Sequence, residues 1–226
     1  MAAKKIERVS AREGYDLWSE TYDSTPNPVV AMDSRQTIKL LAPAKGELIL
    51  DAGCGTGRNL KQLVSTKSRP VGIDFSLGML KVAQRNWPDI PLAAADLEQT
   101  LPFKSGSFDA VLCALIGEHL SELRMVIDDF HRVLKPGGRL VYSVYHPAMS
   151  AAGVEANFER LGVEYRLGAV HYEVEEQARH FQDAGLVEIN VREFEGDEEL
   201  ARSVPSAAKY LNSPVLLILT AKKLLM

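Results

Sequence analysis

Cysteine is scarce in this chain, and that scarcity sets the first bounds. Cys54 and Cys113 are the only two thiols in 226 residues; they stand in no metal-ligand spacing and are too few for a disulfide scaffold. They read as reduced, packed side chains of a cytoplasmic protein. Long apolar runs are also missing. None reaches the ~18 residues of a membrane helix, and the N-terminal MAAKKIERVSAREGYD has no apolar core of a secretory signal, so neither a membrane span nor a leader is expected. An excess of basic residues is absent too: a net charge of −4 and a pI near 5.8 argue against a broad footprint for nucleic acid or an anionic membrane. No internal repeat and no low-complexity linker interrupts the chain, so the expectation is one domain, 1–226.

What the chain does have is organised around LILDAGCGTGRNL, residues 48–60. The apolar run Leu48-Ile49-Leu50 reads as a buried parallel strand, followed by glycines at alternate positions, Gly53, Gly55 and Gly57, and then helix formers. Such a turn lets a ligand approach the main chain, and the free N–H groups of the following helix attract an anionic group. Further strands are expected over 69–74, 90–95, 107–114, 138–144, 187–194 and 213–221. Helices are expected over 11–23, 29–41, about 58–65, 76–87, 119–134 and 172–183, while periodicity fails over 145–170 and 195–212. Alternating strand and helix predict an α/β fold, a doubly wound Rossmann-like sheet with helices on both faces. In such sheets ligands sit outside the carboxyl ends of the strands, here Asp51, Asp74, Asp96-Leu97, Ala114-Leu115 and Tyr145-His146.

Asp74, roughly 20 residues beyond the turn, stands where nucleotide-binding folds place a ribose acceptor, which suits both NAD and S-adenosylmethionine. The glycine spacing separates them. A dinucleotide fingerprint puts its third glycine at position 58, where this chain has Arg58. An acid just before the turn, Asp51, suits an ammonium or sulfonium better than a pyrophosphate. Tyr15, Trp18 and Tyr22 form one stripe of the first helix, which either packs on the core or closes over a ligand.

DAGCGTG, GIDFS, AADLEQTLPF, FDAVLCALIGEHL and LKPGGRLVYSV, in that order, resemble the class I S-adenosylmethionine-dependent methyltransferases, and most of all the small-molecule branch that includes ubiquinone/menaquinone and biotin-pathway enzymes. The resemblance implies a seven-stranded sheet, mostly parallel with an antiparallel last strand. It also implies S-adenosylmethionine as cofactor and S-adenosylhomocysteine as product. By the same resemblance Asp51, Gly53 and Gly55 line the methionine portion. Asp74 takes the ribose hydroxyls, Phe75 packs on adenine, and Asp96 and Leu97 meet the adenine edge. Ala114 and Leu115 offer backbone to the amino group, and Tyr15 and Tyr22 lie over the cofactor.

Methyl transfer is an in-line displacement whose rate comes chiefly from alignment in a dry pocket. A base serves only an acceptor that carries a labile proton. His146 is the first candidate for it, then His119 and Glu118. No Asn/Asp-Pro-Pro-aromatic element and no Pro-Cys nucleophile follow the fourth strand, and Glu118 is the one glutamate between it and the helix expected from His119, which favours a small-molecule acceptor over nucleic acid or protein. The N-terminal helices, about 11–41, are expected to act as a lid, and 147–170, with Met149, Phe158, Leu161 and Tyr165, as a substrate-side insertion joined by the 195–212 loop. Two alternatives stand beside this reading: an NAD-dependent oxidoreductase, and a non-catalytic S-adenosylmethionine-binding module.

Overall fold

The computed structural model describes residues 5–225; the first four residues of the N-terminal stretch read above lie outside them. In chain order the elements are β1 (Lys5–Arg8), α1 (Ala11–Trp18), α2 (Pro28–Leu41), β2 (Leu48–Ala52), α3 (Arg58–Ser65), β3 (Arg69–Asp74), α4 (Leu77–Asn86) and β4 (Leu92–Ala94). There follow β5 (Phe108–Ala114), α5 (Leu123–Val133), β6 (Leu134–Tyr145), α6 (Pro147–Ala151), β7 (Asn157–Arg160), β8 (Val163–Arg166), α7 (Val174–Asp183), β9 (Leu186–Glu195), α8 (Glu198–Ser203) and β10 (Pro214–Lys223).

The main sheet has seven strands in the order β4-β3-β2-β5-β6-β10-β9. The first five neighbours run parallel, and β10 enters antiparallel between β6 and β9, as expected. The chain moves from β2 outward to β3 and β4, then returns to β5 on the other side of β2. The end of β2 is therefore the switch point at which open α/β sheets form a crevice. Alternation along β10 shows how both faces are covered. Leu217 and Leu219 pack with Phe130 of α5 and Phe181 of α7, whereas Leu216 and Ile218 pack with Val29 and Met32 of α2. Near-continuous apolar strands follow from burial on both faces.

Several boundaries differ from the sequence expectations, each for a local reason. The helix expected from His119 begins only at Leu123, because Glu98 Oε1 accepts from Ser121 N and Glu122 N, at 2.6 and 3.0 Å, and holds that stretch outside the helix. Residues 117–119 instead form a tight 3-10 turn. The fifth strand of the sheet starts at Leu134 rather than 138, and Pro136-Gly137-Gly138 is absorbed as an irregularity while β5 advances from Phe108 to Ala110. The irregular 195–212 stretch contains α8, capped by Asp197 Oδ1 on Leu200 N at 2.7 Å.

The 147–170 stretch holds α6 and a hairpin, β7 with β8, to which β1 adds in parallel as a second small sheet. The Phe158 ring stacks between Trp18 and Tyr165, with centroids 5.0 and 5.1 Å away. The hairpin thus backs α1 and sets how far α1 can stand from the main sheet.

Leu217 is wholly buried at the middle of β10. Leu217→Ala is expected to cost about 2–5 kcal/mol of stability, read by urea denaturation, and a loss under about 1 kcal/mol would contradict its central position.

Candidate active site

The site is built on the turn that leaves β2. Gly53 N and Cys54 N both donate to Ile73 O of β3, at 2.8 and 2.9 Å, which folds the turn back over the sheet end. Gly57 takes φ +90° as the cap of α3, where a side chain would meet the Trp87 ring at 2.6 Å. At Gly55, also left-handed, an added Cβ would meet no protein atom within 4 Å, so open space lies above it. Asp74 holds this turn to the start of α4: Oδ2 accepts from Gly55 N at 2.9 Å and Oδ1 from Ser76 N at 2.8 Å.

The space above the turn is a cavity of about 240 Å³. Gly53, Gly55, Asp74 and Phe75 line its floor and one side, Asp96 and Leu97 a second, and Ala114, Leu115 and His119 a third. Tyr15 and Tyr22 close it from the N-terminal segment. Strands β2, β3 and β5 and the segment after β4 thus bring together residues that are far apart in the chain.

Arg12, one turn before Tyr15, fastens the N-terminal wall. Its guanidinium donates to Phe75 O at 2.8 Å and to Asp96 Oδ2 at 3.0 Å, and lies 5.0 Å from the centre of the Phe75 ring. Asp16 adds a second fastening, accepting from Ser76 Oγ and Gly78 N at 2.6 and 2.8 Å. Tyr15 Oη lies 2.9 Å from His119 Nε2. Burial lowers the His119 pKa to about 4, so the imidazole is neutral near pH 7; with the ring hydrogen on Nδ1, it accepts the phenol proton.

Asp51 is fully buried at the end of β2 and does not itself line the cavity. Neither carboxylate oxygen has a hydrogen-bond partner among the described residues. Burial pushes its pKa up to about 7, with Arg58 pulling down, Asp74 adding to the rise, and the nearby Asn59 amide favouring the ionised form although it stands outside full hydrogen-bond geometry. Asn59, on the cavity wall, also has its amide oxygen unpartnered. Arg58 lines the same wall while donating to Asp33 Oδ2 and Ser34 Oγ, both at 2.7 Å. This corner therefore offers unpartnered acceptors beside a partnered cation, a setting for a ligand with several N–H donors.

Two of the base candidates stand elsewhere. His146 caps α6, Nδ1 accepting from Ala148 N at 3.1 Å while Nε2 meets Glu193 Oε2 at 2.8 Å; both ring nitrogens are engaged away from the cavity. Glu118 is buried on the far side of the 117–119 turn, beside Tyr142 and Tyr145. Only His119 of the three reaches the cavity. In the sequence Arg58 registers only as the break in the dinucleotide glycine spacing, and no role attaches to Arg12 or Asn59. Arg58 and Asn59 directly follow the glycine turn and so were open to prediction, but Arg12 meets partners 63 and 84 positions away and gives no local signal.

Because His146 closes the first turn of α6, His146→Ala is expected to lower stability by roughly 0.5–2 kcal/mol in urea denaturation, and unchanged stability would contradict the capping role.

Comparison with known proteins agrees with this geometry. A methyltransferase-domain family model matches residues 50–142. Over 197 residues the chain is 30% identical to a demethylmenaquinone methyltransferase of Corynebacterium kroppenstedtii, covering 85% of this chain and 82% of that protein. A demethylmenaquinone methyltransferase of Renibacterium salmoninarum is 35% identical over 150 residues, 64% of this chain and 62% of its own length. That match, like the 58% coverage of the Clavibacter sepedonicus relative, spans less than two thirds of the relative. Among solved structures, an S-adenosylmethionine-dependent methyltransferase from Mesorhizobium loti superposes with a TM-score of 0.72 at 23% identity, over 86% of this chain and all of its own. The [4+2]-cyclase SpnF superposes at 0.73 and 20%, over 98% of this chain and all of its own, and at these identities both speak to fold alone. Glycine turn, strand-end acids, sheet order and relatives agree: the chain belongs to the class I S-adenosylmethionine-dependent methyltransferase family.

Proposed function

We propose that the protein transfers a methyl group from S-adenosylmethionine to a small-molecule acceptor, releasing S-adenosylhomocysteine. The observation that carries this reading is the unpartnered Asn59 amide oxygen on the cavity wall beside the open glycine turn, with the desolvated Asp51 carboxyl buried behind that wall. Asn59 Oδ1 offers a direct acceptor to one ammonium, Asp51 offers it a negative charge close by, and Gly55 leaves the main chain open to the same ligand. Asp74 and Asp96 are placed to accept from hydroxyl and amino groups through lone pairs their present partners leave free, and Phe75 offers a flat apolar face.

When bound, S-adenosylmethionine supplies an electrophilic methyl group. The protein's part is to align the acceptor and keep water out. Tyr15 and Tyr22 form the wall that excludes solvent, and His119 Nε2, by accepting the Tyr15 phenol proton, holds that wall in place and leaves the Tyr15 oxygen to orient an acceptor O–H or N–H. We read 1–226 as a single domain in which the lid is confined to the first part of the expected 11–41 segment, α1 and the turn at Tyr22, because α2 packs into the core on the main sheet. The 147–170 insertion shapes the acceptor side by backing α1 through Phe158 and Leu167. Demethylmenaquinone, the compound in the names of those relatives, heads the acceptor screen. The acidic net charge favours such compounds over nucleic acid, and two free, buried cysteines fit a cytoplasmic location.

Calorimetric titration with S-adenosylmethionine, S-adenosylhomocysteine and NAD, followed by assay of S-adenosylhomocysteine formation with candidate acceptors, tests the reading. Micromolar binding of the first two, about −8 kcal/mol, with none of NAD is expected. NAD binding alone would turn the reading to an oxidoreductase. Cofactor binding without turnover on any acceptor would favour a non-catalytic module.

Asp74→Ala is expected to weaken S-adenosylhomocysteine binding by about 1.5–3 kcal/mol, and equal affinity in the folded variant would remove Asp74 from the site. A pH series tests Asp51. In the free protein its carboxyl titrates near 7, and a bound ammonium favours the ionised form, so binding below that pH must release a proton. S-adenosylhomocysteine affinity is therefore expected to rise about tenfold from pH 6 to pH 8 and then level off, whereas a flat profile would contradict the coupling between Asp51 and the bound ammonium.

A further inference from the structure

Behind the 117–119 turn lies a second, much smaller cavity, of about 10 Å³, lined among others by Glu118, Tyr142, Tyr145 and Gln177. Three polar side-chain atoms around it have no partner among the described residues: Glu118 Oε2, Tyr142 Oη and Gln177 Oε1. Their residues are 5, 0 and 2% exposed. They come from three separate elements, the turn, β6 and α7, so no single local distortion accounts for them. Buried polar groups are almost always satisfied, and three failures at one small space point to something that fills it.

The chemistry of the three atoms selects the occupant. Gln177 Nε2 donates to Tyr172 O at 3.1 Å, which turns the amide oxygen toward the cavity as an acceptor. Burial pushes the Glu118 carboxyl up to about 7; ionised, its Oε2 is a second acceptor, and a donated hydrogen bond favours that form. The Tyr142 hydroxyl is the donor, and it lies so close to Gly117 that an added Cβ there would stand 1.7 Å from it. Two acceptors and one donor are the complement of one water molecule, which gives two hydrogen bonds and takes one. A bound alkali cation would satisfy the oxygens but leave the Tyr142 hydroxyl proton without an acceptor. The volume agrees, since a single water needs about 10–15 Å³ on this measure.

We propose that this cavity binds one water, accepting from the Tyr142 hydroxyl and donating to Glu118 Oε2 and Gln177 Oε1, and that Glu118 held in this way positions the turn that carries His119 into the larger cavity. The turn is already tied from outside by Val170 N donating to Glu118 O at 2.8 Å. The water supplies the inner tie, to β6 and α7. Glu118 thereby acts through His119 and is a positioning residue. The second half of the proposal rests on reading the larger cavity as the cofactor site.

A crystal structure at a resolution that orders buried waters tests the first half. A density peak within hydrogen-bond distance of all three atoms is expected; an empty space, or side chains turned to pair with one another, overturns it. Calorimetry with S-adenosylhomocysteine tests the second half on variants shown to be folded by circular dichroism. Glu118→Gln, which keeps an oxygen on the water, is expected to bind within about threefold of the native protein. Glu118→Leu and Gln177→Leu, which do not, are expected to bind about tenfold more weakly. Equal affinity across all three overturns the positioning role, and Gln177→Leu carries this test where Glu118→Leu fails to fold. A native protein with the water in place and no affinity for S-adenosylhomocysteine would instead overturn the proposed function and leave the water site standing.

Discussion

One desolvated carboxylate sets the constraint on which the site depends. Asp51 ends the central strand, fully buried, with Asp33 and Asp74 raising its pKa further and the Arg58 guanidinium opposing them. A buried acid without hydrogen bonds is costly, and such groups either neutralise or find a cation. Arg58 is already committed to Asp33 and Ser34 of α2, and Asp33 also accepts from Thr37 and from Ser143 of β6. The protein therefore spends its guanidinium on joining α2 to α3 and leaves Asp51 uncompensated. A buried ion pair of this kind adds little net stability, but removing one member leaves the other charge exposed to an apolar interior. What it secures here is the placement of the glycine turn beside an unsatisfied acid.

The second element of the site is the wall opposite that acid. Tyr15, Trp18 and Tyr22 pack edge or face on one another with centroids 4.9 to 6.1 Å apart, and Phe158 of the hairpin stacks on Trp18. Arg12 and Asp16 tie the same helix to the ends of β3 and β4. The aromatic stripe consequently serves both of the roles its spacing left open: Trp18 is core, and the polar tips of Tyr15 and Tyr22 face the cavity. The amphipathic character of tyrosine makes that division possible, although the helix expected over 11–23 ends at Trp18 and Tyr22 stands in a separate 3-10 turn, Tyr22–Ser24.

The parts of this molecule that could be read from sequence are those fixed by local rules. Alternate glycines, strand-end acids and apolar runs bounded by turn residues marked β2, β3, β5 and α3 and put Asp74, Phe75, Asp96 and Ala114 at one rim. What escaped depends on distant partners. Lys5–Arg8 becomes a strand only because Val163–Arg166 lies alongside it, and neither segment has an apolar face strong enough to announce itself. Helix α5 starts later than its apolar periodicity predicts because Glu98, more than twenty positions upstream, holds the residues before it. His146 fell at the right strand end but on a side chain turned into a helix cap, a choice set by Pro147 and Glu193 rather than by strand order.

The measurement that tests this account most directly is a carbon-13 NMR titration of the Asp51 carboxyl, with and without S-adenosylhomocysteine. The free protein is expected to show a carboxyl titrating near pH 7, and the complex one that stays ionised to well below pH 5, since an ammonium beside it stabilises the charge. An Asp51 that titrates alike in both states would contradict the claim that this carboxylate is kept unpaired for the cofactor.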